Sequence, residues 1–461
     1  MDEPLAPSAS SGLLRVLGLV FGLAVVVGGV IGSGIMRAPG VVAQGITSAP
    51  LILAAWAIGG GVAILSAMPL VEVGSAVPHA GGAYPIARRA FGPTVGFLTG
   101  WLSWIQNVAA NGFMSAVFAE YVHRLGLAAT IPANWVGCGL IVGVGAINFS
   151  GTRISGASQA LASAIKGGAF MILVGVLFAS PRAPMAPAPP LVAITSLGAL
   201  IMAARVIYQT YAGWDAAIYF SEEVKRPDRN VARATFLGIG GVALLYLLVN
   251  AAALHVLTPA ALAGSTLAVG DAAKVAVGPA ANTLITALGL FSLAAITNLQ
   301  IMAASRVSFR MAVDRLLPSG LTAVAKNGAP WASVAATTAG SLIFAATGSY
   351  ESIVRIYAPW SIGAILMVCL SAIRLRFSEP ELHRPWRMPL FPWIAFGAAG
   401  IQAALIAVFV WDDPVAGAGS AVVAFLPAMI YAAFSALRRR SRARALINAP
   451  GRHESAPGPP S

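Results

Sequence analysis

The chain is 461 residues long, 58% hydrophobic and only 10% charged, with a formal net charge of +13. A soluble globular protein carries roughly 25% charged residues, so this composition excludes one and points to an integral membrane protein. The apolar runs are continuous over about 20 residues, without the two-residue alternation of a membrane β-barrel, so the expected class is an all-α polytopic membrane protein.

About twelve spans are predicted, at 13–42, 50–73, 94–122, 134–149, 156–179, 194–220, 232–257, 282–313, 331–347, 353–373, 391–411 and 417–437. Most Lys and Arg residues fall in alternate loops and in the C-terminal tail, among them Arg88, Arg89, Lys225, Arg226, Arg310 and Arg438 to Arg440. This positive-inside asymmetry predicts a multi-pass protein of the cell membrane with both termini cytoplasmic. It also accounts for the positive charge without a nucleic-acid partner. The lipid bilayer is the expected surrounding.

In the first span, residues 28–36 read Gly-Gly-Val-Ile-Gly-Ser-Gly-Ile-Met. Each Gly costs a helix about 1 kcal/mol against Ala. In lipid a broken helix survives only where it lines a polar cavity. A half-helix starting near Gly34 aims free N–H groups and a positive dipole end at an anion, such as the carboxylate of a small zwitterion.

Between the second and third spans, Pro78 and Pro85 exclude one continuous helix and predict an ordered inner connection. The third span carries Gln106, Asn107 and Asn111, the last two four residues apart on one face. They read either as interhelical glue or as pocket lining. The fifth span holds Lys166, which is costly at mid-membrane unless paired or neutral. A coupling role and a plain bond to backbone carbonyls both remain open for it.

The sixth span repeats the theme of the first. Tyr208-Gln209-Thr210-Tyr211-Ala212-Gly213-Trp214-Asp215 interrupts an apolar run, and Ser221-Glu222-Glu223 closes it. Two interrupted spans, each the first of five, predict an inverted-repeat transporter with its substrate site between the breaks. Arg205 is expected to reach outward, and Asp215 with the Glu222–Glu223 pair to serve an inner gate. The eighth span adds Asn298 and Gln300.

The last two spans carry no charge and read as accessory. Cys138 and Cys369 fall inside spans, and the five histidines show no metal-ligand spacing. No enzyme activity, cofactor or metal is therefore expected. The organisation reads as a tail 1–12, a first five-helix unit 13–180, a second 191–375, a loop 376–390, accessory helices 391–437 and a basic tail 438–461.

The motifs resemble those of the amino acid–polyamine–organocation permeases, in particular the L-type and related bacterial amino acid transporters. The matching stretches are Gly29 to Ile35, Ala80 to Tyr84 with Phe91-Gly92, Tyr211 to Asp215 with Glu222 to Pro227, Ser305-Arg306 with Leu317-Pro318, and Glu379 to Pro385.

The resemblance implies a five-plus-five (LeuT-like) inverted repeat with helices 1 and 6 broken and two extra helices. It implies an amino acid substrate whose carboxylate meets the backbone N–H groups of Gly32, Ser33 and Gly34. Its ammonium would meet carbonyls near Val30 and Ile31 and from Gln209 through Thr210, Tyr211 and Ala212 to Gly213. Lys166 would replace the ion of sodium-coupled relatives.

Two departures follow from the same comparison: Gln209 and Gln300 stand where relatives place aromatic residues, and the nearest aromatic is Tyr208. A side-chain pocket of Gln106, Asn107, Asn111, Tyr208, Trp214, Asn298 and Gln300 favours neutral small or polar amino acids, with a polyamine, organic cation or cationic amino acid as the alternative. Residues 124–133 contain no Cys, so no disulfide-linked heavy chain is expected, and the protein is expected to be a monomer or homodimer.

Overall fold

The computed structural model describes residues 18–32, 34–182, 194–347 and 350–447. The predicted tail 1–12, Ser33, most of the outer loop expected at 181–190, and 448–461 lie outside the described residues.

Each predicted span has a helix or a helix pair. The first is split into α1 (Leu19–Val30) and α2 (Gly34–Gly45), bent by 44°. There follow α3 (Ala49–Ala76), α4 (Ala83–Phe91), α5 (Pro93–Arg124), α6 (Ala133–Phe149) and α7 (Thr152–Ala179). The sixth span divides into α8 (Leu197–Tyr211) and a 3-10 segment, Trp214–Phe220. The rest comprises α9 (Pro227–Val256), α10 (Pro259–Ala263), α11 (Ala268–Val277), α12 (Ala280–Val313), α13 (Trp331–Thr347), α14 (Tyr350–Ser378), α15 (Trp393–Asp412) and α16 (Pro414–Ile447).

Local sequence explains where these helices begin. Pro93, Pro227 and Pro259 open α5, α9 and α10 at positions where the missing N–H costs nothing. Ser196 and Thr258 cap α8 and α10 by accepting from the N–H groups of Ala199 and Ala261. Three elements were not expected as helices: α4 within the inner connection, and α10 and α11 between the seventh and eighth spans. All are short and were hidden by the prolines and glycines around them.

The core lies where α5 packs on α12, α13 and α14, and where α1 packs on α7 and α9. At one end of the bundle, α4, the start of α9 and the ends of α12 and α14 gather most of the charged contacts, including Arg88–Asp314, Arg306–Glu223 and Arg376–Glu72. We call this the basic end. At the opposite end, Arg37 pairs with Glu120. The polytopic all-α membrane architecture expected from the sequence is therefore present.

Candidate functional site

The two helix breaks meet at mid-bundle. Gly28 and Gly29 are not the break itself, since both lie inside α1. They permit close approach: a Cβ on Gly28 would sit 2.2 Å from the Ser163 hydroxyl, and one on Gly29 would sit 2.9 Å from the Gly213 carbonyl oxygen. The helix opens one turn later. Ile31 is extended, with φ −72° and ψ 96°. In the sixth span Tyr208 to Tyr211 are still helical, and the chain turns only at Ala212 and at Gly213, whose φ is +104°. That conformation suits glycine alone at little cost.

Three side chains hold the opened backbone. Lys166 Nζ donates to the Gly28 and Ile31 carbonyl oxygens, 2.8 Å each, and is fully buried. Ser292 Oγ donates to the same Ile31 oxygen at 3.1 Å. Tyr246 OH donates to Val30 O at 2.7 Å and lies 3.2 Å from Thr210 O, so one phenol spans both breaks. Buried carbonyls freed from a helix need such partners. The Val30 and Ile31 carbonyls, expected to meet an ammonium, thus already accept bonds from the protein. Tyr246 and Ser292 were missed; the only signal was one phenol and one hydroxyl in otherwise apolar runs.

Beside the breaks lies a cavity of about 430 Å³. Gly32 and Gly34 line it from the first span, Gln209, Thr210, Ala212 and Gly213 from the sixth, Gln106 and Asn107 from α5, and Gln300 from α12. Four other expected pocket residues, Asn111, Asn298, Tyr208 and Trp214, are not among the residues that line this cavity. Asn111 donates to Ser341 on α13 at 3.0 Å, although it shares a face with Asn107. Asn298 joins Asn148 and Gln159 in a buried amide cluster. Tyr208 donates to Gln402 on α15 at 2.6 Å. Trp214 is buried in the apolar core. Asn111, Asn298 and Tyr208 each find a partner on a helix that is distant in sequence. Tyr211 likewise points away, donating to the Trp56 carbonyl.

The cavity gains residues that sequence placed elsewhere or did not mention. Asp215 lines it rather than joining the ion pairs at the basic end. Its carboxylate accepts from Tyr219 OH at 3.3 Å, and the same hydroxyl accepts from Gln106 Nε2 at 3.2 Å. Phe113, Tyr357 and Ser361 also line it, with apolar residues such as Met114, Val117, Val206, Ile296 and Leu299. Arg205, expected to reach outward, pairs with Asp412 at 2.6 Å and lies over the Phe409 ring. The last helices are thereby tied to α8.

The two ends of the cavity differ in electrostatics. Toward the basic end, Glu223 and Arg306 pair at 2.9 Å with 0% and 2% exposure. Nearby, Glu222 accepts from the Ala80 N–H, while Asp314 takes Tyr84, Arg88 and Arg310. The Arg37–Glu120 pair at the other end is 36% and 55% exposed. A buried pair holds firmly because separating its charges leaves one uncompensated, whereas an exposed pair is weak. The basic end carries the more buried network of ion pairs.

The sequence profile of the amino acid permease family matches residues 13–434. The chain is 26% identical to the serine/threonine exchanger SteT of Bacillus subtilis (strain 168), over 83% of this chain and 88% of that protein. It is also 26% identical to the b(0,+)-type amino acid transporter 1 of Mus musculus, over 83% of this chain and 80% of that protein. A third relative is the large neutral amino acids transporter small subunit 2 of Homo sapiens, 26% identical over 92% of this chain and 82% of that protein. A transporter rather than an enzyme is what such a site serves, and the chain belongs to the amino acid permease family.

Proposed function

We propose that this protein is a sodium-independent carrier of neutral small or polar L-amino acids, working by alternating access as a proton symporter or an exchanger. The observation that carries the reading is Lys166: its ammonium occupies the place between Gly28 and Ile31 where a cation would otherwise satisfy the opened carbonyls. An amine nitrogen bonded to both oxygens takes the place that a sodium ion would fill.

The substrate carboxylate is read by backbone N–H groups at Gly32, Ser33 and Gly34, where the α2 dipole adds to the attraction. This contact recognises what all amino acids share. The choice of side chain falls to Gln106, Asn107, Gln209, Gln300 and Asp215, whose amides and carboxylate suit polar groups. The name of the Bacillus relative, an exchanger of serine and threonine, supports small polar substrates and exchange.

The bundle reads as two five-helix repeats, 13–180 and 191–375, followed by two further helices. The basic end is cytoplasmic by the positive-inside rule, and the membrane is the cell membrane. The protein acts as a monomer or homodimer without a disulfide-linked partner.

One observation favours a second reading. Asp215 carries a carboxylate on the cavity wall, which would serve a cationic amino acid or a polyamine equally well. Uptake into proteoliposomes, competed by glycine, serine, leucine, arginine and putrescine, separates the two. Competition by serine but not putrescine supports the first reading; competition confined to arginine and putrescine replaces it with the second. A ligand that binds the folded state also raises its thermal midpoint, which gives an independent ranking.

A further inference from the structure

Lys166 does not line the cavity, although Gly29, Val30 and Gly32 next to its clamp do. Among the described residues its Nζ bonds only the Gly28 and Ile31 carbonyl oxygens, and a carbonyl takes no proton from an ammonium. An amine that exchanges a proton here needs water from another direction. On its way from the basic end to Lys166, the buried face of α7 carries Thr152, Ser155, Gln159 and Ser163, three or four residues apart and each at most 4% exposed. Thr152 accepts from Arg306 Nη2 at 3.2 Å, which fixes the start of this stripe at the basic end. Beyond Lys166 the buried positions of α7 are Phe170, Leu173, Val174 and Leu177, all apolar. The polar stripe reaches Lys166 and stops there.

Midway along it, three buried amides from three helices meet. Asn298 on α12 donates to Gln159 Oε1 on α7 at 3.1 Å, and Asn148 on α6 donates to Asn298 Oδ1 at 2.9 Å. Two amide atoms are left over: Gln159 Nε2 and Asn148 Oδ1 are buried with no hydrogen-bond partner among the described residues. Buried polar atoms without a bond are costly. One of these is a donor and the other an acceptor, the pair that a water molecule matches; a cation asks for acceptors alone and an anion for donors alone. Gln159 Nε2 also lies against Gly28, whose carbonyl Lys166 holds: a Cβ on Gly28 would be 2.6 Å from it.

We propose that Gln159, Asn148 and Asn298 form a water-binding site that connects Lys166 to the basic end and to no other face. It rests on the reading of Lys166 as the coupling group of a carrier. The amides do not titrate; they hold and orient water. When the ammonium releases its proton, one N–H bond breaks, the electron pair stays on nitrogen, and water passes the proton down the stripe. The groups facing α7 leave this route to water. From α9 come Tyr246, which bonds Val30 O, and His255, which meets Ser180 O beyond the apolar half. From α12 comes Arg306, paired with Glu223. On α11, Asp271 accepts from Ser265 and Lys274 is exposed, while α1 and α6 carry no charged residue.

Hydroxyl-radical footprinting of the purified full chain tests the site, because radiolysis turns trapped water into the oxidant where it stands. Met302 is the reporter: it is fully buried, and its sulfur lies 3.9 Å from Asn298 Nδ2. Phe170, equally buried in the apolar half of α7, is the control. With each rate divided by that of the unfolded chain, Met302 is expected to be oxidised well above Phe170. Q159L should lower Met302 oxidation by about tenfold, the factor one hydrogen bond carries in a binding equilibrium, and N148L should do the same. Met302 oxidised no faster than Phe170 in the native chain overturns the site, and that comparison needs no variant to fold.

The route is tested in vesicles of defined orientation with the pH set separately on each face. Uptake is expected to follow the pH at the basic face alone. Q159L should abolish that dependence, together with the slowing of uptake in heavy water. A response to the pH of the opposite face, or a Q159L profile equal to that of the parent, overturns the one-sided connection. Footprinting needs no substrate. If uptake ignores pH on both faces, or no amino acid is transported, while the Met302 pattern holds, the reading of Lys166 or of the carrier fails and the water site stands.

Discussion

The Lys166 ammonium lies 2.8 Å from the Ile31 carbonyl oxygen, at the residue where helix 1 opens. With its second bond to Gly28 O, it clamps the last turn of α1 against α7. Hydrogen bonds from a charged donor contribute about 1.5–3 kcal/mol each. Lys166→Ala is therefore expected to lower the thermal midpoint and to abolish uptake or flatten its pH dependence. Uptake and a pH profile indistinguishable from wild type in proteoliposomes would remove Lys166 from the coupling mechanism.

Gly213 has no room for a side chain. Its φ of +104° strains any other residue, and an added Cβ would lie 2.7 Å from the Gly29 carbonyl oxygen, a backbone atom. Backbone strain of this type costs of order 1–3 kcal/mol. Gly213→Ala should lower the melting midpoint and stop transport. Gly61→Ala, where no atom lies within 4 Å of the new methyl, should leave the midpoint level or raise it. Equal midpoints for the two variants would disprove the close approach of the two breaks.

The buried pair of Glu223 and Arg306 joins the end of the sixth span to α12. Removing one partner leaves a buried charge and is expected to cost about 3–5 kcal/mol. Glu223→Leu and Arg306→Met, each alone, should destabilise strongly, and the double variant less than either. Denaturant unfolding of the purified protein gives the comparison, and additive losses would count against a desolvated pair.

His79 stands between α3 and α4, where burial pushes its imidazole below the ordinary value and Arg310 and Arg89 push the same way, against Glu222 and Asp314. Its folded value is thus below the unfolded one of about 6.5, so the unfolded chain takes the proton first. Stability is full above about pH 6.5 and falls as the pH drops toward the lower folded value. His79→Gln should flatten the stability curve below about pH 6.5 and leave it unaltered above. A variant that tracks wild type throughout that window would show that His79 does not carry the effect.

Much of this protein was legible in one dimension. Continuous apolar runs dictate helices because a membrane leaves no other partner for the peptide groups. The glycines of 28–34 and the polar run of 208–215 located both breaks to within a few residues, because poor helix formers in an apolar span need a reason. Lys166 was conspicuous for the same cause: an isolated ammonium at mid-span must find oxygen, and it found Gly28 and Ile31.

Tertiary packing alone decided the rest. Asn107 and Asn111 lie on one face of α5, yet Asn107 lines the cavity while Asn111 is claimed by Ser341 on α13. Tyr208 and Gln209 are neighbours, and Gln402 draws one away while the other meets Tyr357. Asp215 faces the cavity because the chain turns at Gly213 rather than earlier. Periodicity names the face of a helix on which a polar residue stands. Which neighbour satisfies that residue depends on helices hundreds of positions away, and that assignment separates a pocket residue from a structural one.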